Sequence, residues 1–166
     1  DECHKRGIAV ILDMVFNHAT GNNPMNKLYP YTSSSATTTD LRLNPWFNVS
    51  APHSDNVYED WNHGFAPAKE MFTRALKYWL TEYKVDGFRM DLSHGFCGTN
   101  CSCLKDNLLR MQKAVQSVSP DAYFIQEYWG SNPSQSTLVN LGMMCWTGGS
   151  GLSNSYSQIA MGWLDK

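Results

Sequence analysis

The 166 residues carry 13 Lys and Arg against 15 Asp and Glu, a net charge of -2 that leaves no basic run or stripe to grip nucleic acid. No apolar run approaches the length that spans a bilayer, so no membrane segment is expected. The length is enough for one ordinary domain core. Six Trp, eight Tyr and seven Phe give an aromatic-rich chain whose rings either fill a core or stack on sugars.

Asp1 to Arg6 read as the tail of a helix, so the chain is expected to begin in mid-fold. The apolar run Gly7 to Leu12 predicts a buried parallel strand that continues towards Phe16. Helical and strand periodicities then vanish from Ala19 to about Ala66, a stretch with Gly21, Pro24, Pro30, Pro45 and Pro52 and a Ser/Thr-rich run from Thr32 to Thr39. It is too long for an ordinary connection and reads as a functional excursion, with Thr32 to Thr39 as a flexible surface loop. Pro67 opens a helix whose apolar face is Met71, Phe72, Ala75, Leu76, Trp79, Leu80 and Tyr83, stopped by Asp86-Gly87. Val85 to Phe88 is the second strand. Leu104, Leu108, Met111, Val115 and Val118 make a second helical stripe that ends at Ser119-Pro120. Ala122 to Ile125 is the third strand. A loop around Asn132-Pro133, a short helix near Ser134 to Asn140, a fourth strand at Leu141 to Trp146 and a helix from Ser155 to Lys166 complete the pattern.

Alternating strands and helices of this kind predict an α/β fold with a parallel sheet. Three of the strands end in chemistry: Asp13-x-x-x-Asn17-His18, Arg89-x-Asp91 and Glu127. Polar groups at strand C-termini point out of the mouth of a β/α barrel, where active sites are built. Asp91 follows Arg89 by two residues, which puts both on one face and favours the ionised carboxylate. It is then either a nucleophile or one half of a structural Arg–Asp pair. Glu127 has aromatic neighbours, Tyr128 and Trp129, which would raise its pKa and let it hold a proton, unless it is a rim glutamate satisfied by water. Two carboxylates on adjacent strands suit glycosidic bond cleavage. His18 can bond a sugar hydroxyl, and the Asn17 carbonyl can meet a hard cation such as calcium, although both residue types serve as ordinary loop and cap groups. Asp60-Trp61-Asn62-His63 is a sugar or ion contact or a helix cap. Cys97-x-x-x-Cys101-x-Cys103, with His94 nearby, matches no usual zinc spacing and favours a loop disulfide or free thiols. His4 and His53 carry no assigned role.

The ordered set Asp13-x-x-x-Asn17-His18, Gly87-Phe88-Arg89-x-Asp91 and Glu127 resembles the first three signature regions of the α-amylase family, glycoside hydrolase family 13. Asp60-Trp61-Asn62 resembles a further signature near the end of that family's inserted domain B. The stretch from Asn44 to Asp91 is similar to starch-degrading enzymes of Bacteroides-type bacteria. The resemblance implies a partial (β/α)8 barrel of about four parallel strands: residues 1–18 around strand three, 19–66 as a domain B-like insertion, and 67–166 carrying strands four to six. It implies Asp91 as nucleophile, Glu127 as acid/base and Arg89 as the partner that keeps Asp91 ionised. It also implies His18 at the sugar of the scissile bond and Asp13 as support, with Trp61 and His94 as further sugar contacts. Asn17 is implied as a calcium ligand in members that bind the ion. The substrate implied is starch or maltooligosaccharide, the linkage α-1,4, and the compartment extracellular, cell-surface or periplasmic.

Two departures stand out. Where the family often has Lys-His three and four residues after the nucleophile, this chain has His94 and Gly95. The family's fourth region, a His-Asp pair on a later strand, has no counterpart in these residues. A barrel of this kind runs to about 250 residues. The chain on its own is therefore expected to self-associate through open sheet edges and to show little or no hydrolase activity. A monomer by light scattering with full turnover would contradict both expectations. A non-catalytic glucan-binding relative, or a transglycosylase or α-1,6-glucosidase of the same family, are the alternative readings.

Overall fold

The computed structural model describes residues 1–29, 44–97, 103–130 and 133–146. The expected loop at Thr32 to Thr39, the helix at Ser155 to Lys166, and Cys101 lie outside the described residues.

A four-stranded parallel sheet organises the chain, with β1 (Ile11–Met14), β4 (Gly87–Met90), β5 (Tyr123–Glu127) and β6 (Met144–Trp146) in that spatial order. Helices α2 (Ala66–Glu82), α3 (Leu104–Gln116) and α4 (Gln135–Asn140) stand between successive strands, as in the wall of a β/α barrel. Between β1 and α2 lies the insertion, with a short α1 (Pro24–Lys27) and an antiparallel pair of β2 (His18–Ala19) and β3 (Glu59–Asp60). Two-residue strands carry no periodicity, which is why the sequence showed none there. No helix among the described residues is long and apolar enough to cross a membrane.

Three strands begin two or more residues later than their apolar runs suggest, and the start of the chain shows why. Gly7, at φ +70°, closes a 3-10 turn over His4–Arg6 rather than starting β1. The Val10 N–H is then taken by the Asp86 carboxylate at 2.6 Å, and the Asp86 N–H returns to the Val10 carbonyl at 2.8 Å. Pairing with β4 starts only at Ile11, opposite Gly87. Gly87 has no room for a side chain, since a Cβ there would run into the Tyr123 carbonyl oxygen. Asp86-Gly87 does not stop α2. The helix ends at Glu82 with Tyr83 as its C-cap, and Lys84 turns the chain at φ +55°.

On α2 the buried face is Ala68, Phe72, Leu76 and Leu80, while Tyr83 is exposed. On α3 it includes Leu104, Leu108, Met111 and Val115, with Val118 beyond the helix end. Both stripes pack in one core with Phe88, Met90 and Phe124 of the sheet. Each fully buried Leu or Phe contributes roughly 1.5–3 kcal/mol. Arg110 ties the two helices, donating from Nη1 to the Lys69 carbonyl at 2.9 Å and to the Thr73 hydroxyl.

Candidate active site

The parallel register puts Asp13 opposite Arg89 and Arg89 opposite Ile125, so the polar ends of β1, β4 and β5 converge. Arg89 is the hub. Its Nη1 donates to Asp13 Oδ1 and to Asp91 Oδ1, both at 2.7 Å, and its Nη2 lies 2.8 Å from Glu127 Oε1. The guanidinium also lies 5.1 Å from the centre of the Trp146 ring, a cation–π contact from β6. Burial alone would lower the pKa of Arg89, but the bonds to Asp13 and Asp91 outweigh it and raise the value. The three carboxylates differ in access: the side chain of Asp13 is 64% exposed, that of Asp91 25% and that of Glu127 11%.

Glu127 is more tightly held than its aromatic neighbours implied. Besides Arg89, its Oε2 accepts the Leu92 N–H at 2.9 Å, and its carbonyl accepts the Ser93 hydroxyl at 3.0 Å. Tyr128, expected beside the carboxyl, is fully buried and donates its hydroxyl to the Pro133 carbonyl. Leu92 reaches Glu127 only by adopting a left-handed conformation, φ +47° and ψ +42°. A leucine in that region is strained by about 1–3 kcal/mol. The strain sits on the residue that joins the Asp91 turn to Glu127.

The other expected site residues fall into two groups. His18 is partly exposed at the mouth, 5.7 Å from the ring of Tyr58, and its Nδ1 faces Asn17 Nδ2 at 3.3 Å. His94 is buried, with Nε2 bonded to Asp55 Oδ2 at 2.6 Å and its ring beside Tyr128 and Trp129. Trp61 belongs to the core. Its ring is 7% exposed, stacked on Phe47 at 4.4 Å and edge-on to Phe72 and Trp46, so packing rather than sugar contact accounts for it. Asp60, on the β3 side of the β2–β3 pair, accepts from Asn48 Nδ2 at 2.6 Å and from His53 Nε2 at 2.8 Å. Neither it nor Trp61 caps a helix.

Asn17 is fully buried and its Oδ1 has no hydrogen-bond partner, which suits a hard cation. Calcium takes six to eight oxygens. The Asp60 oxygens are engaged by Asn48 and His53, but Asn48, which donates from Nδ2 to Asp60, leaves its own buried Oδ1 without a hydrogen-bond partner as well. Gly95 explains part of this packing. A Cβ at that position would run into Asn17 Oδ1 and the His53 ring, so the insertion fills the room that a side chain would need. Cys97 is disulfide-bonded, which leaves it unavailable as a zinc ligand.

Sequence reasoning missed Trp146, Tyr58, His53 and Asp55. Trp146 ends β6 opposite Glu127, so the strand-end rule would have found it had it been applied to aromatic as well as acidic residues. The others sit in the insertion, where no periodicity marks a position.

No family model matches the chain. It is 38% identical over 98 residues to the malto-oligosyltrehalose trehalohydrolase of Saccharolobus solfataricus, covering 57% of this chain and 14% of that protein. It is 29% identical over 147 residues to a cyclomaltodextrinase of a Bacillus species, covering 78% of this chain and 24% of the relative. The chain thus spans a quarter or less of the length of either relative. Its fold matches that of Amy13B from Eubacterium rectale with a TM-score of 0.70 at 21% identity, over 98% of this chain and 36% of that one. A chain that carries these motifs at the ends of these strands, and aligns with such relatives, belongs to the α-amylase family of glycoside hydrolases.

Proposed function

We propose that this chain carries the nucleophile and acid/base of a retaining α-glucan hydrolase, most readily one acting on α-1,4 bonds of starch or maltooligosaccharides. The observation that carries the reading is Arg89, whose single guanidinium holds Asp91 and Glu127 side by side at the ends of adjacent strands. The relatives are named for a trehalohydrolase and a cyclomaltodextrinase, which supports an α-glucan substrate without settling the linkage.

In the reaction, an Asp91 carboxylate oxygen bonds to the anomeric carbon as the glycosidic C–O bond breaks. Glu127 delivers its proton to the departing oxygen. In the second half Glu127 takes a proton from water, the water oxygen bonds to the anomeric carbon, and the ester to Asp91 is released. Arg89 holds Asp91 in line through its Nη1. Its contact with Glu127 must loosen for that group to carry a proton, so substrate binding is expected to displace Glu127 from Arg89. His18 and the exposed Tyr58 lie side by side at the mouth, where a hydroxyl contact and a stacking ring suit a pyranose. Asn17 is the oxygen that calcium would take, and it has no part in these steps.

Glu127→Gln tests the acid role in the full natural chain. Cleavage of a maltooligosaccharide should fall by about 10²–10⁴-fold, because the poor leaving group needs the proton. An aryl α-glucoside with an acidic phenol leaving group should lose far less in formation of the glycosyl-enzyme. Equal losses on both substrates in that step would remove Glu127 from the role. Glucan binding with no cleavage of any α-glucan would favour the non-catalytic reading.

A further inference from the structure

Among the described residues outside the Arg89 cluster, one group of side chains has the composition of a metal site. His53, Asp55 and His94 each offer a ligand atom, and these atoms lie within 4.8 Å of one another. Two of them come from the insertion, and the third follows the nucleophile by three residues. Both imidazoles are almost fully buried, His53 with 6% and His94 with 7% of its side chain exposed, while Asp55 is 37% exposed and leaves the group open on one side.

The hydrogen bonds settle how the rings are held. His53 Nε2 must donate, because Asp60 Oδ2 at 2.8 Å only accepts. Its Nδ1 must accept, because the Asp55 N–H points at it from 3.3 Å. His53 is therefore oriented with Nε2–H towards the Asp60 carboxylate behind it and the Nδ1 lone pair facing Asp55. Metal-bound histidines are oriented in this way, one ring nitrogen on the ion and the other donating to a carboxylate. His94 is oriented through Nε2 to Asp55 Oδ2 at 2.6 Å, and its Nδ1 is buried without any hydrogen-bond partner. That unpartnered ring nitrogen leaves His94 free to change tautomer, so that Nε2 can turn its lone pair to an ion. The bond to His94, with burial working against it, lowers the pKa of Asp55 and keeps it an anion.

We propose that His53 Nδ1, a carboxylate oxygen of Asp55 and His94 Nε2 bind a divalent transition metal of the Zn²⁺ class. Two imidazoles and one carboxylate are a borderline-soft set with three protein ligands, and the exposed side of Asp55 leaves a fourth position for water. On binding, the Nε2 proton of His94 moves to Nδ1. The His94 Nδ1–H then lacks an acceptor and the Asp55 N–H gives up the His53 Nδ1 lone pair, costs that the three bonds to the ion offset. The ion clamps the insertion to the turn that follows Asp91. This inference is independent of glucan cleavage, because its readout is metal binding.

Isothermal titration of the metal-free full natural chain with ZnCl₂ at pH 7.5 should show a site of micromolar or tighter affinity. A Co²⁺ complex should show ligand-field bands without a thiolate charge-transfer band. Asp55→Asn and His94→Gln should each weaken Zn²⁺ at least tenfold, with circular dichroism unchanged. Cys3→Ser/Cys145→Ser should bind as the parent does. Should His53→Ala lose the fold, Asp55→Asn still decides the matter, because the amide oxygen it introduces can accept the His94 bond but is a poor zinc ligand. Absent or millimolar binding, a thiolate band, or unchanged affinity in both Asp55→Asn and His94→Gln would overturn the assignment.

Discussion

Asp91→Asn is expected to lower α-glucan hydrolysis by roughly three to six orders of magnitude, as removal of an essential nucleophile does in other enzymes. The substitution is nearly isosteric. Its amide oxygen can still accept from Arg89 Nη1, which holds Asp91 Oδ1 at 2.7 Å, so the fold and the position of Glu127 should survive. What disappears is the anionic oxygen that bonds to the anomeric carbon. Two measurements on the full natural chain check this. Reducing-end release from a maltooligosaccharide should collapse while glucan binding is retained. A fluorinated glucosyl donor that slows the second step should leave a sugar ester on a peptide containing Asp91 in the parent and none in the variant. Turnover within tenfold of the parent, or an ester on another residue, would remove Asp91 from the mechanism. Its position favours the stated outcome: the Asp91 N–H is pinned to the Met14 carbonyl at 3.0 Å, just beyond the last paired residues of β1 and β4.

The second large effect concerns stability and comes from His63. This ring is fully buried, stacked between Phe72 at 4.8 Å and Phe96 at 4.6 Å. Its Nε2–H donates to the Phe16 carbonyl at 2.7 Å, and its Nδ1 has no partner. Burial, which disfavours the charged ring, pushes its pKa down to about 3 despite that bond. In the unfolded chain an exposed histidine titrates near 6.5. Below that pH the unfolded state gains a proton that the folded state refuses. Stability from this group is therefore complete above about pH 6.5, and falls as the pH drops from there towards 3. The loss is about 2 kcal/mol by pH 5, since each unit of pH is worth about 1.4 kcal/mol while only the unfolded state is protonated. Urea unfolding at pH 8 and pH 5 should show the loss in the parent, and His63→Phe should reduce the pH 8-to-5 difference by about that amount. Phe in this stack is less stable at every pH if the lost bond to Phe16 outweighs the added ring burial, but its pH slope decides the question. An equal pH dependence in the two proteins would show that His63 is protonated in the folded state as readily as in the unfolded one.

These two residues illustrate different depths of reading. Asp91 was visible as chemistry because a β/α unit places its polar residues where an apolar run ends. His63 was visible only as part of Asp60-Trp61-Asn62-His63, with a sugar, ion or capping role in view. The structure makes it a core residue, along with Trp61. No local pattern separates a buried histidine from an exposed one in a segment without periodicity. Depth of burial is a property of what packs on top, and here that is Phe96 from a distant turn.

By itself the sequence determined the α/β architecture, the order of the four sheet strands and of the helices between them, and the positions at which acidic groups leave the sheet. Periods of two and 3.6 and the stops between them are local properties, and chemistry at strand ends follows from the parallel arrangement those periods impose. Tertiary structure alone decided the rest. It set the strand ends, because pairing begins where Val10 stops bonding to Asp86 and Ile11 meets Gly87. It made Arg89 the junction of three carboxylates, because register across β1, β4 and β5 brings distant residues within 3 Å of one another. It also placed His53 and Asp55 beside His94, since a segment without periodicity finds its place only through the side chains it packs against.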